Sequence, residues 1–179
     1  MKNLLFASLF LTLACSSIEN RNPTGEAFPQ VTGRSLEDNV VSLPGDVAGA
    51  PAILLVGYVQ ETQFDLDRWI LGLLQAQTPG QLLEVPTIEG MAGLFSDSID
   101  SGMRSGIPSE DWGSVVTLYD EDAARVVRFT GDQRPRNGRV ILLDSTGNVI
   151  WFHDRGYSAR HLLELDSTVR SLLPVEETP

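Results

Sequence analysis

Thiol is almost missing from this sequence: one of its 179 residues is cysteine, Cys15. With a single cysteine there is no internal disulfide and no Cys-x-x-Cys pair, so stability has to come from packing. Lysine is equally scarce. Lys2 is the only one, and every other cation is arginine. With 13 basic against 24 acidic residues the formal charge is −11. That balance excludes nucleic acid as a partner and opposes electrostatic attraction of the whole chain to anionic lipid. There is no Gly-rich phosphate loop and no serine in a strand–turn–helix nucleophile pattern. The two histidines, His153 and His161, lack the paired spacing of zinc motifs even with Asp154 nearby, so neither metal nor cofactor is expected.

What is present begins with Met1-Lys2-Asn3, the apolar run Leu4 to Ala14, and Cys15-Ser16-Ser17. A positive start, about ten apolar residues and a small residue before the cut make a secretory signal. The run is too short to cross a bilayer core of about 30 Å as a helix, and no second apolar segment approaches that length. Leu11-Thr12-Leu13-Ala14-Cys15 resembles a bacterial lipoprotein signal, although Thr12 stands where that family has Leu. The resemblance implies a signal peptide over 1–14 and a lipid, such as palmitate, on Cys15 as the first mature residue. Ser16 in place of Asp resembles lipoproteins sent to the outer membrane of Gram-negative bacteria. The expected location is therefore the periplasmic face of that membrane.

Residues 15–28 are polar, with Asn20, Asn22, Pro23 and Gly25, and read as a flexible tether. A domain is expected over 29–174 and a tail over 175–179. Val31 to Leu43 reads as a hairpin turning at Glu37-Asp38-Asn39. Ala52 to Val59 is continuously apolar, as a central strand buried on both faces is. Phe64 to Ala76 carries Leu66, Trp69, Ile70, Leu73 and Leu74 on one helical face. A strand over Leu82–Ile88, a weaker helix over Gly90–Met103 and a strand over Ser114–Tyr119 follow. Ala123–Phe129 fits a short helix or a strand equally. Val140–Leu143 and Val149–Phe152 form a hairpin over Ser145-Thr146-Gly147-Asn148. A helix over Ala159–Leu173 closes the domain, capped by Ser158 and stopped by Pro174.

This order predicts a three-layer α/β domain with a mixed sheet, an N-terminal hairpin and flanking helices. It resembles the thioredoxin-like superfamily, in particular its TlpA-type and peroxiredoxin branches. The most recognisable piece is Val140-Ile141-Leu142-Leu143-Asp144-Ser145-Thr146-Gly147-Asn148-Val149-Ile150. Leu55-Val56-Gly57-Tyr58 followed by Gln63-Phe64-Asp65-Leu66-Asp67-Arg68-Trp69 also looks similar to cysteine-less members, among them the mitochondrial ATP-synthase assembly factor family. That narrower resemblance implies a binding or assembly role.

In a thioredoxin the reactive cysteines lie between the first central strand and its helix. The matching segment here, Val59-Gln60-Glu61-Thr62-Gln63-Phe64, holds no cysteine or serine. The family's cis-proline position falls on Gly138 or Arg139, with Pro135 a few residues early. The resemblance therefore implies no disulfide exchange, no thiol peroxidase chemistry and no copper delivery by a cysteine pair. Acid replaces the thiols: Glu61, Asp65 and Asp67 crowd the helix start, where they favour the dipole and oppose anion binding. Opposite them the arrangement places Asp132-Gln133-Arg134-Pro135-Arg136-Asn137-Gly138-Arg139. The candidate groove is Gln60, Glu61, Gln63, Asp65, Arg68, Trp69, Arg134, Arg136, Asn137 and Arg139, with Glu61 and Asp65 expected to face the arginines. The leading expectation is a lipid-anchored, redox-inactive module that binds another envelope protein or peptide. An enzyme using Glu61 or Asp65 as a base, and a structural envelope scaffold, are the alternatives.

Overall fold

A computed structural model describes residues 17–173. Its elements run in the order β1 (Val31–Ser35), β2 (Val40–Leu43), β3 (Ala52–Gly57), α1 (Gln63–Gln75), β4 (Gln81–Ile88), α2 (Ser96–Arg104), β5 (Val116–Tyr119), α3 (Asp120–Thr130), β6 (Arg139–Leu143), β7 (Val149–His153) and α4 (Ala159–Leu172). The strands form one sheet in the order β2-β1-β5-β4-β3-β6-β7. β3, β4 and β5 are parallel, while β6 and β7 run antiparallel on one side and β1 and β2 on the other.

The alternation of side chains along β3 explains the layers. Ile53 and Leu55 point to a core completed by Leu66, Trp69 and Leu73 of α1 and by Leu162, Leu165 and Val169 of α4. Ala52, Leu54 and Val56 point the other way, to a core holding Ala123 and Val126 of α3. β6 divides the same way: Val140 and Leu142 face α1 and α4, and Ile141 and Leu143 face α3. The three-layer α/β expectation holds.

Two stretches differ in detail. Ala123–Phe129, open between helix and strand, lies inside α3. The acids Asp120, Glu121 and Asp122 occupy its first turn, where the helix dipole favours them. The helix expected over Gly90–Met103 starts as a 3₁₀ turn over Met91–Phe95 and becomes α-helical only at Ser96.

The larger correction concerns the tether. Cys15 and Ser16 lie outside the described residues, but from Ile18 onward the stretch 15–28 is bound to the domain as a strap. The Asp132 N–H donates to the Ile18 carbonyl (3.0 Å) and the Arg21 N–H to that of Thr130 (3.1 Å). Farther along, the Gly25 N–H donates to Val149 (2.7 Å) and that of Phe28 to Gly147 (2.9 Å). Phe28 is buried, edge-on to Phe129. Gly131 makes the close approach possible: at φ +78° a Cβ there would sit 2.3 Å from the Glu19 carbonyl oxygen. Polar side chains made the strap look unattached, because main-chain hydrogen bonds leave no trace in a hydropathy pattern.

Candidate functional site

The turn after β3 and the loop before β6 meet at the carboxyl end of the parallel strands, because β3 and β6 are antiparallel neighbours. Gln60–Thr62 is a single 3₁₀ turn leading into α1. The buried Thr62 hydroxyl donates to the Pro135 carbonyl at 2.7 Å. One carboxylate oxygen of Asp65 accepts the Gly138 N–H at 2.8 Å, and the other accepts the Tyr157 N–H at 2.6 Å. One side chain thus fastens α1 to two loops. Gly138 is one of the two positions, with Arg139, on which the resemblance puts a cis-proline, and a side chain there collides with α1: a Cβ would lie 2.2 Å from Leu66 Cδ2. The place of the family's reactive pair is filled by these internal bonds.

The two segments are adjacent, but the expected charge pairing across them is absent. Among the described residues, Arg134, Arg136, Arg68 and Glu61 form no salt bridge, and all four are exposed. Arg139 is fully buried and lies away from Asp65. The reason is the two-residue period of β6: Arg139 has the parity of Ile141 and Leu143, so it points to the α3 face, whereas Asp65 is on the α1 face. There its guanidinium donates to four main-chain carbonyls, those of Gly131 (3.0 Å), Gln133 (2.7 Å), Arg134 (3.1 Å) and Asn137 (2.7 Å). It also donates to the Asn20 side-chain oxygen of the strap (3.1 Å) and lies 4.8 Å from the centre of the Tyr58 ring. Burial lowers its pKa, while Tyr58, Asp154 and Asp132 act in the opposite direction. The loop 131–138 is thus wrapped around its own arginine.

Trp69 is likewise a core residue, edge-on to Trp151 and Tyr157. Gln60 and Gln63 are exposed, and Gln63 donates to Asp67 at 2.9 Å. The Asn137 amide donates to the Asp154 carbonyl at 3.2 Å. The ten groove candidates therefore include inward-facing structural groups and outward-facing free ones, and together they do not line one groove.

A cleft of about 620 Å³ lies immediately beside them and was missed. Tyr58, Thr87, Ile88, Glu89, Asp132 and Arg134 are among its walls. Burial raises the Glu89 pKa and the nearby Asp132 raises it further; burial pushes the Tyr58 hydroxyl up to about 12. The available signal was position: Thr87 and Ile88 end β4 and Glu89 follows it, and open α/β sheets bind ligands at the carboxyl ends of their strands. The histidines, far apart in sequence, also meet, with ring centroids 4.3 Å apart. Among the described residues no group of three or more His, Cys, Asp or Glu side chains converges as a metal site.

No protein-family model matches the sequence, and no curated protein matches it either. Solved structures do. The pneumococcal exposed lipoprotein thioredoxin from Streptococcus pneumoniae superposes with a TM-score of 0.53 at 13% identity, over 78% of this chain and 99% of that one. Yeast Sco1 with copper bound gives a TM-score of 0.58 at 14% identity, over 88% and 99%. An uncharacterised conserved protein from Geobacillus kaustophilus gives 0.59 at 14%, over 93% and 94%. At these identities the likeness is one of fold, and the fold is thioredoxin-like.

Proposed function

We propose that this protein is a lipid-anchored envelope protein whose thioredoxin-like domain does no redox chemistry and binds another envelope protein or peptide. One observation carries the reading. The place of the reactive pair is occupied by the Thr62–Pro135 and Asp65–Gly138–Tyr157 bonds, while an open cleft adjoins it. Disulfide exchange needs a thiolate, and from Ser16 onward the sequence has none. The carboxylate-enzyme alternative is poorly served. Both Asp65 oxygens are committed to main-chain N–H groups, and Glu61 stands in solvent with no enclosing pocket. The anchor rests on Cys15 and its signal; a lipoprotein thioredoxin among the structural neighbours is consistent with it.

The test is affinity capture from solubilised membranes with the anchor intact. Arg134→Glu and Glu89→Arg, which reverse charges on the cleft wall, should reduce the captured partner while melting is unchanged. Capture unaffected by both variants would remove the cleft as the binding surface. Turnover by the purified domain in an insulin-reduction or peroxide assay would end the redox-inactive reading.

A further inference from the structure

The strap reaches the carboxyl end of the parallel strands and is held there. Besides the bond from Asp132 to the Ile18 carbonyl, the Ile18 N–H donates to the Asp132 carboxylate, and Ser17 lies on the rim of the cleft. Cys15 stands two positions before Ser17, and two residues span at most about 7 Å of chain. A lipid on Cys15 is therefore on a short leash to this one end, not on a tether of a dozen residues.

The same end carries an unusual surface. Among the described residues, Arg68, Arg134, Arg136, Arg155 and Arg160 are the exposed arginines without a salt bridge. Arg134 and Arg136 precede β6, and Arg155 follows β7. Antiparallel pairing of Val140 with His153 puts both loops at this end. Large apolar side chains stand out here too: Phe64 (73% exposed) opens α1, and Leu94 (73%) and Phe95 (66%) follow β4. Acids share the end, but Asp65, Asp132 and Asp154 are hydrogen-bonded within the domain. Glu19, Glu61, Asp67, Glu89, Asp120 and Glu121 are exposed, so this end is marked by its apolar side chains and its unpaired arginines and not by a net positive charge.

We infer that this end of the domain lies against the bilayer, with Arg134, Arg136 and Arg155 on lipid phosphates and Phe64, Leu94 and Phe95 at the headgroup boundary. The inference rests on the reading of Cys15 as lipidated. The lipid supplies the affinity, and the arginines set the orientation. Negative charge on the far side of the domain does not oppose this, because beyond about 8–10 Å it is screened. A partner in the cleft is then a membrane-embedded protein.

The experiment uses the full lipidated chain in vesicles of phosphatidylethanolamine and phosphatidylglycerol containing a lipid-borne quencher. An environment-sensitive fluorophore is attached at Gln133→Cys, on the cleft wall, or at Ser145→Cys, in the β6–β7 turn at the opposite end. Both positions are exposed, and melting confirms folding of each labelled chain. Quenching at 133 should exceed that at 145 several-fold. Arg134→Glu/Arg136→Glu/Arg155→Glu should bring the two closer together while the membrane-bound fraction stays constant. Equal quenching, or more at 145, overturns the orientation; a triple variant that behaves like wild type overturns the role of the arginines. Fractionation of Cys15→Ser reads the premise separately: if that chain stays with membranes, the lipid reading fails and the leash with it.

Discussion

Arg34 on β1 meets two carboxylates of α2, Asp97 at 2.8 Å and Asp100 at 2.9 Å. Arg139 on β6 meets none and is surrounded by carbonyl oxygens. The first arrangement joins two elements through side chains. Asp100 is buried and also accepts the Tyr119 hydroxyl at 2.7 Å, so β1, β5 and α2 share one carboxylate. The hydrogen bond with Asp97 leads the factors that raise the Arg34 pKa. The second arrangement shapes main chain. Four carbonyls of the loop 131–138 turn inward to one guanidinium, and Arg134 is held at φ 56°, where a non-glycine residue is uncommon. A carboxylate partner fixes a contact between two elements, whereas a set of carbonyls fixes the course of a loop, and with it the strap and the cleft wall.

Arg139→Met removes the centre of that loop and leaves buried carbonyls without donors. It should cost about 3–5 kcal/mol, a large part of a domain stability of about 5–15 kcal/mol. Hydrogen exchange should rise in the loop and the strap together. Arg139→Lys should fall in between, because three ammonium donors cannot serve five acceptors spread over a planar fork. A melting curve like wild type for Arg139→Met would show that the loop holds itself.

Asp100→Ala is the matching cut in the other network. Arg34 keeps Asp97 and is partly exposed, so the loss is expected at about 2 kcal/mol, mostly from the Tyr119 hydroxyl, which keeps only its long bond to the Ser96 carbonyl. Chemical denaturation measures it. A cost above that of Arg139→Met would invert the comparison. Asp65→Ala should cost about 1–3 kcal/mol by freeing two main-chain N–H groups, with faster exchange at Gly138 and Tyr157 and little change in the strap.

The β3 run was legible because six consecutive apolar residues have few homes other than a sheet covered on both faces. The spacing of Leu66, Trp69 and Leu73 gave α1 for a similar reason. The fastening role of Asp65 was not legible, since the groups it binds are main-chain N–H groups brought near by the fold. Arg139 was misread as a groove residue although the clue was present. Alternation along Arg139-Val140-Ile141 sets it on the face opposite α1, which excludes Asp65 as its partner. The cleft was illegible because its walls come from four chain segments, none with a motif of its own.

His161 offers a smaller test on the α1–α4 face. Burial lowers its pKa first, and the neighbouring His153 and Arg160 lower it further. A histidine with a lowered folded pKa resists protonation in the native state, so the unfolded chain takes up protons first as the pH falls. Stability present above the unfolded value of about 6.5 should therefore decline as pH falls below it. Melting temperature against pH measures the slope, and His161→Gln should flatten it. An unchanged slope in that variant would assign the acid sensitivity to other groups.

Glu61→Gln should have the smallest effect, and for that reason it is the sharpest control on Asp65. The two carboxylates lie four residues apart at the start of α1, and composition gives them the same role. Glu61 is exposed, with no hydrogen bond among those of the described residues. Its contact with the helix dipole is solvent-screened, so neutralising it should shift stability by no more than about 0.5 kcal/mol, less at high salt. Paired melting curves of Glu61→Gln and Asp65→Ala, at low and at high salt, make the comparison. A Glu61→Gln loss equal to that of Asp65→Ala, persisting in salt, would mean that helix-end charge rather than the bonds to Gly138 and Tyr157 fastens this corner.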